Sequence, residues 1–543
     1  MLELVLLGIA MAVVPIIRFD GVFGVDQAKE QATILLMGIA AIVMLWSGIP
    51  AFSGPNRYLL AVVVFCVFSL LWADHHHLAT REVVRVLSVL VFCLLAQRVP
   101  FDFSFQAAVI PATVTALYGM SQQLLKKDIV DPRFTPFMRK KTRFKGWMGN
   151  SNYTAAYLVP CFFISLWLIW NVSAFYAISA VIIIGGIALS HCRAAQGAVA
   201  LGLCIIEPAV LFMVIPAAIV TYMYKVGCKE SVGHRLLMTR AAIAMWLRRP
   251  IFGWGPRCFR HKHTRAVAEL NLKDPTILGN QKEPGRFQFT VGRRAHNDYA
   301  ESLAEYGLLG CALCAAFLGF VVLRAWEADT FILAGVVAFM ANAAFFLSFR
   351  DTGVSLPFWL LAGVAISEGQ RQIAIKVNIE MAFIAALAIA YLVYCYAYKP
   401  WRANRAAEKG DLLTALKLEP YRTEWLYRIT KEAMKNKNYP LAFNCAEKAL
   451  FFYDGERPEW AVYFVFGSIA LDAGAVDIAA SCFHQAAILQ PNAKEVGEAI
   501  KVIRGLEKER QRHEAMVKKS NSKKKKTKAN RSFRKTQVLV QPG

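Results

Sequence analysis

Apolar blocks of about 20 residues recur from Met1 to about Tyr398, and they constrain the fold of this chain more than any other feature. A helix of that length crosses the hydrocarbon core of a bilayer. Charged residues make up 18% of the chain, below the fraction that is usual for soluble domains. The pattern predicts an all-α, polytopic membrane protein with about 12–13 transmembrane helices. The predicted segments centre on Gly8, Ile39, Phe65, Val89, Val114, Phe163, Ile183, Leu201, Ile215, Phe317, Val337, Leu361 and Ala388.

The exact count depends on the stretch from Ala194 to Tyr224. It is compatible with two short helices that meet near Glu207-Pro208 or with one long tilted helix. Two hydrophilic loops, at about 126–152 and 225–299, interrupt the membrane region. With the N-terminus inside and about nine helices before the second loop, both loops are expected to face the periplasm. The many basic residues of the first loop argue against this orientation, although long loops follow the positive-inside rule less strictly.

Beyond about Tyr398 the apolar blocks end, and residues 399–512 have the spacing of helical repeats. Within residues 460–493, large and small residues occur at the positions typical of a tetratricopeptide repeat. These positions are Tyr463, Phe466, Gly467, Ala470, Ala479, Phe483, Ala486 and Pro491. A weaker unit and a half-unit precede them, so we expect a small α-solenoid that binds or positions a protein partner. An unrelated array of helical hairpins is the alternative.

Residues 513–543 form a strongly basic tail that contributes to the formal net charge of +24. The run from Lys523 to Lys526 lies within it. Such a charge run predicts a disordered, solvated segment, and contact with anionic membrane lipids is the alternative. Nucleic acid is not an expected partner, because the tail is appended to a membrane protein and has no base-stacking pattern.

The sequence RAHNDYAESLAEYGLLG, at residues 294–310, carries the strongest local signal for chemistry. His296 lies at the end of the long loop, just before an apolar helix. Glu305 lies more than two turns into that helix, where a carboxylate is costly unless it faces the bundle interior or water. Gly307 and Gly310 permit close helix packing. A single loop histidine is usually only a polar loop residue, so other charged positions decide the interpretation.

Arginines occur at two membrane boundaries. Arg193 lies in LSHCRAAQGAVALGL, and Arg235 and Arg240 open the segment GHRLLMTRAAIAMWLRRPIFGWGP. They are either anchors that reach to the interface or a clamp for a diphosphate, which guanidinium groups bind in a planar, bidentate way. No metal site is expected, because Cys311 and Cys314 lack histidine or cysteine partners at ligand spacing.

A fourth block, GWMGNSNYTAAYL at residues 146–158, precedes the Phe163 segment. Together with the three blocks above, it resembles the O-antigen ligase and polymerase superfamily of bacterial membrane glycosyltransferases, in which C-terminal tetratricopeptide extensions are common. The four blocks stand in the family's order between about 146 and 310. Cys192 and His191 depart from the family's Ser-x-Ser-Arg-like block, and Thr239 stands where the family often has Trp.

The resemblance implies transfer of a glycan from a polyprenyl diphosphate carrier to an acceptor hydroxyl, without a metal or other cofactor, at the periplasmic face of the inner membrane. The acceptor is a lipid A core sugar in ligases, another glycan unit in polymerases and a protein side chain in O-oligosaccharyltransferases. For this chain, the expected catalytic residues are His296 as the base and Arg193 and Arg235 as stabilisers of the leaving diphosphate. The expected substrate-binding residues are Arg240, Asn150, Asn152, Asn297 and Glu305.

Two other functional classes stay open from the sequence. Some proteins with this membrane region are regarded as inorganic-carbon transporters, but a transporter predicts internal repeats or discontinuous helices at mid-membrane, and no convincing repeat relates the halves. A non-catalytic scaffold is the other alternative, with the helical repeats recruiting partners.

Overall fold

A computed structural model describes residues 2–17, 25–50, 54–125, 144–211, 229–273, 294–346, 348–368, 374–375, 377–453, 459–490 and 493–537. The described chain is almost entirely helical, and its two short strands, Ile49–Pro50 (β1) and Ala374–Ile375 (β2), pair antiparallel. The chain divides into two compact units. Among the described residues, the membrane unit comprises those from 2 to 273 and from 294 to 422, and the C-terminal unit comprises those from 423 to 537.

The membrane unit contains sixteen of the α-helices that the structure describes, α1 to α16. They are α1 Leu2–Ile16, α2 Val25–Ser47, α3 Pro55–Phe68, α4 His76–Ala96, α5 Phe101–Leu125, α6 Ser151–Asn171, α7 Tyr176–Leu189, α8 Arg193–Ile206, α9 Lys229–Arg248, α10 Phe259–Lys273, α11 Asp298–Ala328, α12 Thr330–Ala343, α13 Thr352–Ser367, α14 Ile379–Val393, α15 Lys399–Glu408 and α16 Leu412–Leu418. Of the thirteen predicted segment centres, Ile215 lies outside the described residues and the other twelve lie in α1–α8 and α11–α14.

Five helices in the described residues are long and apolar enough to cross a membrane. They are Gln27–Ser47, Phe101–Leu125, Ser151–Asn171, Asp298–Ala328 and Ile379–Glu408. Shorter apolar helices, among them α7, α8, α12 and α13, accompany them. This architecture agrees with the expected all-α, multi-pass membrane protein, while the total of about 12–13 spans stays a prediction.

Helix α13 forms the centre of the membrane unit. Every residue from Thr352 to Ile366 is buried, as expected for a helix that is apolar on all sides and surrounded by others. Helix α14 differs, because Phe383, Ile384 and Leu387 are all more than half exposed. Exposed apolar side chains at this density are typical of a surface that contacts lipid.

Helix α8 ends at Ile206, and a short 3₁₀ turn follows at Pro208–Val210. Pro208 has no backbone N–H to donate, and the Glu207 carboxylate accepts a hydrogen bond from the Ala209 N–H at 3.2 Å. The alternative of one continuous helix from Ala194 to Tyr224 is therefore wrong.

Helix α11 is interrupted at Gly307, whose φ of 64° and ψ of −168° are accessible essentially to glycine alone. The interruption leaves backbone N–H and carbonyl groups of α11 without partners inside the helix. The segment after α9 forms hydrogen bonds with them. The N–H groups of Trp254 and Gly255 donate to the carbonyls of Ala304 and Glu305 at 3.0 and 2.8 Å. In return, the N–H groups of Leu308 and Leu309 donate to the carbonyls of Pro250 and Ile251 at 2.8 and 3.1 Å. Two glycine-containing sequence blocks are thus joined backbone to backbone.

The C-terminal unit contains α17 Thr423–Lys435, α18 Tyr439–Phe451, α19 Glu459–Asp472, α20 Val476–Leu489 and α21 Lys494–Gln537. The helices pack as consecutive pairs around small residues. A methyl group on Gly467 would lie 2.9 Å from the Phe483 ring, so α19 and α20 approach closely there. The unit is a helical array, and its classification as tetratricopeptide repeats stays a prediction.

Two boundaries differ from the sequence-based expectation. Residues 399–422 belong to the membrane unit, because the Tyr421 ring stacks on His77 at 4.7 Å and Arg422 donates to the Gln27 side chain at 2.9 Å. Helix α21 continues to Gln537, through most of the segment expected to be disordered. Lysine, arginine and alanine have high helix propensity, which explains a helix in so basic a sequence.

Candidate active site

The connection between α12 and α13, residues 344–351, brings together side chains from distant parts of the sequence. Arg235 Nη1 of α9 donates to the Phe345 carbonyl at 3.5 Å. The His296 ring lies 6.5 Å from the Phe346 ring, measured between centroids, and the Tyr153 ring of α6 lies 4.8 Å from the same ring. Residues from three of the four sequence blocks therefore meet around this connection, which the sequence analysis did not single out.

Arg193, from the fourth block, is the first residue of α8. Burial raises the pKa of the adjacent Cys192 thiol, and the positive charge of Arg235 acts in the opposite direction. Arg193 itself is exposed. The pairing of Arg193 and Arg235 in one clamp stays a prediction.

His296 is half-buried and has a φ of 55°. Left-handed backbone is uncommon outside glycine, although histidine adopts it more often than most residues. Such conformations cost free energy and cluster at functional sites, where the surrounding structure holds them. Here the backbone turn directs the chain from the long loop into α11.

Two asparagines predicted to bind substrate act as helix caps. The Asn150 side chain accepts from the Asn152 N–H at 2.9 Å at the start of α6, and the Asn297 side chain accepts from the Ala300 N–H at 3.0 Å at the start of α11. Asparagine is a preferred N-cap because its oxygen satisfies an otherwise unpaired N–H of the first turn. Asn152 is half-buried in the first turn of α6. The side-chain oxygens of Asn150 and Asn297 therefore accept hydrogen bonds from the protein itself.

Glu305 is fully buried and already has protein partners. Arg350 Nη1 donates to its Oε2 at 2.5 Å, and the Phe259 N–H donates to its Oε1 at 3.1 Å. Glu305 therefore has no accessible surface, and its hydrogen bonds join α10 and α11 to the α12–α13 connection. Arg240 is exposed on α9 and forms no ion pair within the described residues.

Glu305 is part of a buried network made of two ion-paired clusters, which are linked where Arg85 Nη1 donates to the Phe349 carbonyl at 3.1 Å. The first cluster contains Glu30, Glu82, Arg81, Arg85 and Arg257. The second contains Asp298, Glu301, Glu305, Arg294 and Arg350. Arg257 links Glu30 of α2 to Glu82 of α4 at 3.0 and 2.9 Å. Every carboxylate of the network lies within 4.0 Å of an arginine nitrogen, and such pairing offsets part of the cost of burying charge.

A comparison with protein-family models finds one match, within this region. Residues 151–315 match the family model described as O-antigen ligase. The match contains Arg193, Arg235 and His296. It supports a membrane glycosyltransferase of the O-antigen ligase or polymerase type, which in general uses a lipid-linked glycan donor and a lipid acceptor. No curated protein matches the chain.

The O-antigen ligase match ends before Arg350, and it begins after the network residues of α2 and α4. Sequence reasoning also missed these residues. A signal was present, since Arg350 and Asp351 follow an apolar block, and ionisable residues at such places are rare and have specific partners. Among the described residues, no group of His, Cys, Asp and Glu is arranged to hold a metal ion.

A buried histidine cluster in the membrane unit predicts acid sensitivity of the fold. The His261 ring of α10 lies 4.1 Å from the His75 ring, and His261 is 5% exposed. Burial, together with the charges of His75 and Lys262, holds the pKa of His261 well below its usual 6.5. The unfolded chain therefore binds a proton near that pH while the folded chain does not, so the free energy of unfolding falls as the pH drops below about 6.5.

We expect the thermal midpoint of the detergent-solubilised protein to fall from about pH 7.5 to about pH 5.5, and His261→Phe to reduce that fall. The control is His484→Phe, because His484 is exposed on α20. A midpoint that does not change with pH, or an equal effect of both variants, would contradict the assignment.

Proposed function

We propose that this chain is a glycosyltransferase of the O-antigen ligase type that transfers a glycan from a polyprenyl diphosphate to an acceptor hydroxyl. The contacts of Arg235 and His296 with the α12–α13 connection carry the proposal. We place the site at the periplasmic face of a bacterial inner membrane, with a lipid A core sugar as the acceptor. Polymerisation of glycan units, or transfer to a protein hydroxyl, uses the same chemistry and differs only in the acceptor.

In this mechanism His296, in its neutral form, accepts the proton of the acceptor hydroxyl. The hydroxyl oxygen attacks the anomeric carbon of the donor sugar, and the bond from that carbon to the diphosphate oxygen breaks. Negative charge develops on the departing diphosphate. The guanidinium groups of Arg193 and Arg235 stabilise that charge. The buried network does not touch the substrates but fixes α11 behind His296.

The C-terminal unit has a separate role in the proposal. We assign its paired helices to a tetratricopeptide-like array that positions a protein partner. Its small-residue contacts, such as Gly467 against Phe483, are those that allow consecutive helical pairs to stack.

Arg235→Gln should reduce glycan transfer by about 10²–10³-fold, the usual cost of removing one donor that stabilises transition-state charge. The assay compares wild type and variant at matched protein amounts in a host that lacks its own ligase. Lipopolysaccharide and glycoprotein ladders are the readouts. Accumulation of polyprenyl-linked glycan should accompany the loss.

The matched control is Arg248→Gln on the same helix. Arg248 forms an exposed ion pair with Glu269, and such pairs contribute little to stability. Wild-type transfer in Arg235→Gln would remove the clamp from the mechanism. If the wild-type chain supports transfer onto no acceptor, the transporter and scaffold alternatives replace the proposal.

A further inference from the structure

Glu301, in the first turn of α11, holds the backbone of the segment that carries His296. Its Oε2 accepts a hydrogen bond from the Ala295 N–H at 2.7 Å, and its Oε1 accepts one from Arg294 Nη1 at 3.1 Å. Ala295 is fully buried and immediately precedes His296. Hydrogen bonds to an ionised group are about twice as strong as those between neutral groups, so this carboxylate restrains the segment firmly.

The backbone is also held on the other side of His296. The Asn297 side chain accepts from the Ala300 N–H at 3.0 Å, and the Asn297 carbonyl accepts from the Glu301 N–H at 3.0 Å. His296 therefore lies between a residue held by the Glu301 carboxylate and a residue held by the start of α11. Its φ of 55° costs free energy, and such a conformation persists where the surrounding structure fixes it.

Glu301 is too buried to contact a substrate itself, since it is 1% exposed. Its Oε1 also lies 3.5 Å from Nη1 of Arg350, in the α12–α13 connection. The His296 ring lies beside Phe346 of the same connection, with 6.5 Å between the ring centroids. The carboxylate thus fixes the position of the His296 backbone relative to this connection.

We propose that Glu301 is a positioning residue for His296, which it holds in the geometry that proton transfer from the acceptor hydroxyl requires. This inference rests on the proposed function, in which His296 is the base. A base must lie within hydrogen-bonding reach of the proton that it accepts. A displacement of about 1 Å can lower the rate about 10²-fold. The buried carboxylate therefore contributes to the rate of transfer without touching the reacting atoms.

The test is a double-mutant cycle between Glu301→Gln and His296→Asn in the full chain. Glutamine keeps the shape of the side chain but has one oxygen in place of two, so either the Ala295 N–H or the Arg294 guanidinium faces an amide NH₂ group. We expect transfer to fall about 10–100-fold when His296 is present. When His296 is already replaced, the same substitution should change the residual transfer by less than about twofold, because the base is missing in both proteins. The readout is the glycan ladder in the ligase-deficient host, divided by the amount of folded protein.

The matched control is Glu82→Gln. Glu82 is fully buried, and the hydrogen bonds of its carboxylate that the structure describes come from Arg85 and Arg257. Its replacement should lower the thermal midpoint of the protein. Any change in transfer per folded molecule should be the same factor with and without His296, because Glu82 does not act through the base.

Glu301→Asp is a second variant that favours folding, because it keeps a negative charge near Arg350. Its side chain is one methylene group shorter, which withdraws the carboxylate from the Ala295 N–H. We expect transfer to fall at least about tenfold when His296 is present and to change by less than about twofold in the His296→Asn protein.

The outcomes separate this inference from the proposed function. Wild-type transfer in folded Glu301→Gln, or an equal loss with and without His296, overturns the positioning role and leaves His296 as the base. If His296→Asn transfers as well as the wild type, the proposed base is wrong, and the inference is overturned with it. A loss that depends on His296 and that Glu82→Gln does not reproduce supports the positioning role.

Discussion

His296→Asn should reduce glycan transfer by about 10²–10⁴-fold, the usual contribution of a general base. Asparagine is the most informative replacement, because it tolerates the left-handed backbone that His296 adopts at φ 55° but has no basic nitrogen. The variant should therefore fold normally. Loss of transfer would reflect the missing base and not a strained loop.

The matched control for His296→Asn is His191→Asn. His191 has nearly the same backbone conformation, with φ at 54°, and is exposed two residues before Arg193. We expect its replacement to leave transfer within a few-fold of wild type, because a single surface residue outside the chemistry has a small effect. The measurement is the glycan ladder at matched expression. Equal activity of wild type and His296→Asn would disprove the role of the base.

His296→Asn should also change how glycan transfer depends on pH. Only a neutral base can accept the proton of the acceptor hydroxyl, so wild-type transfer should decline in acid. Residual transfer in His296→Asn should not show this decline. The comparison separates loss of a base from loss of substrate binding, which would lower transfer at every pH alike.

The sequence predicted the helices well because their signal is local. Apolar blocks near bilayer length mark α1–α8 and α11–α14, and the described part of the chain has a helix at each of the twelve centres it covers. Capping residues are equally local, and Asn150 and Asn297 lie at helix starts for that reason.

The partners of the buried charges could not be predicted from the sequence. Arg257 contacts Glu30 and Glu82, which are about two hundred residues away in the chain, and no periodicity relates these positions. The break in α11 was also missed. Gly307 was expected to aid helix packing, whereas its positive φ opens the helix to the backbone of the segment after α9. Both features depend on tertiary contacts, and the hydrophobic pattern of a single helix carries no information about those contacts.

Arg350→Met should be the most destabilising single substitution in the membrane unit. The Arg350 side chain is 4% exposed and lies 2.5 Å from Glu305 and 3.5 Å from Glu301. Removing one partner of a buried ion pair leaves uncompensated charge and typically costs about 3–5 kcal/mol. We expect a large fall in the thermal midpoint of the detergent-solubilised protein and in the yield of monodisperse protein.

Two comparisons make the Arg350 prediction specific. Arg324→Met removes an exposed pair with Glu327 on α11, which should cost no more than about 1 kcal/mol. The double variant Arg350→Met with Glu305→Gln should recover part of the lost stability, because it removes the charge that Arg350→Met leaves unpaired. If Arg350→Met is as stable as Arg324→Met, the network does not hold α11 against the α12–α13 connection. The backbone hydrogen bonds on either side of Gly307 would then fix the position of His296 instead. Recovery in the double variant would instead assign the stability to charge pairing within the membrane unit.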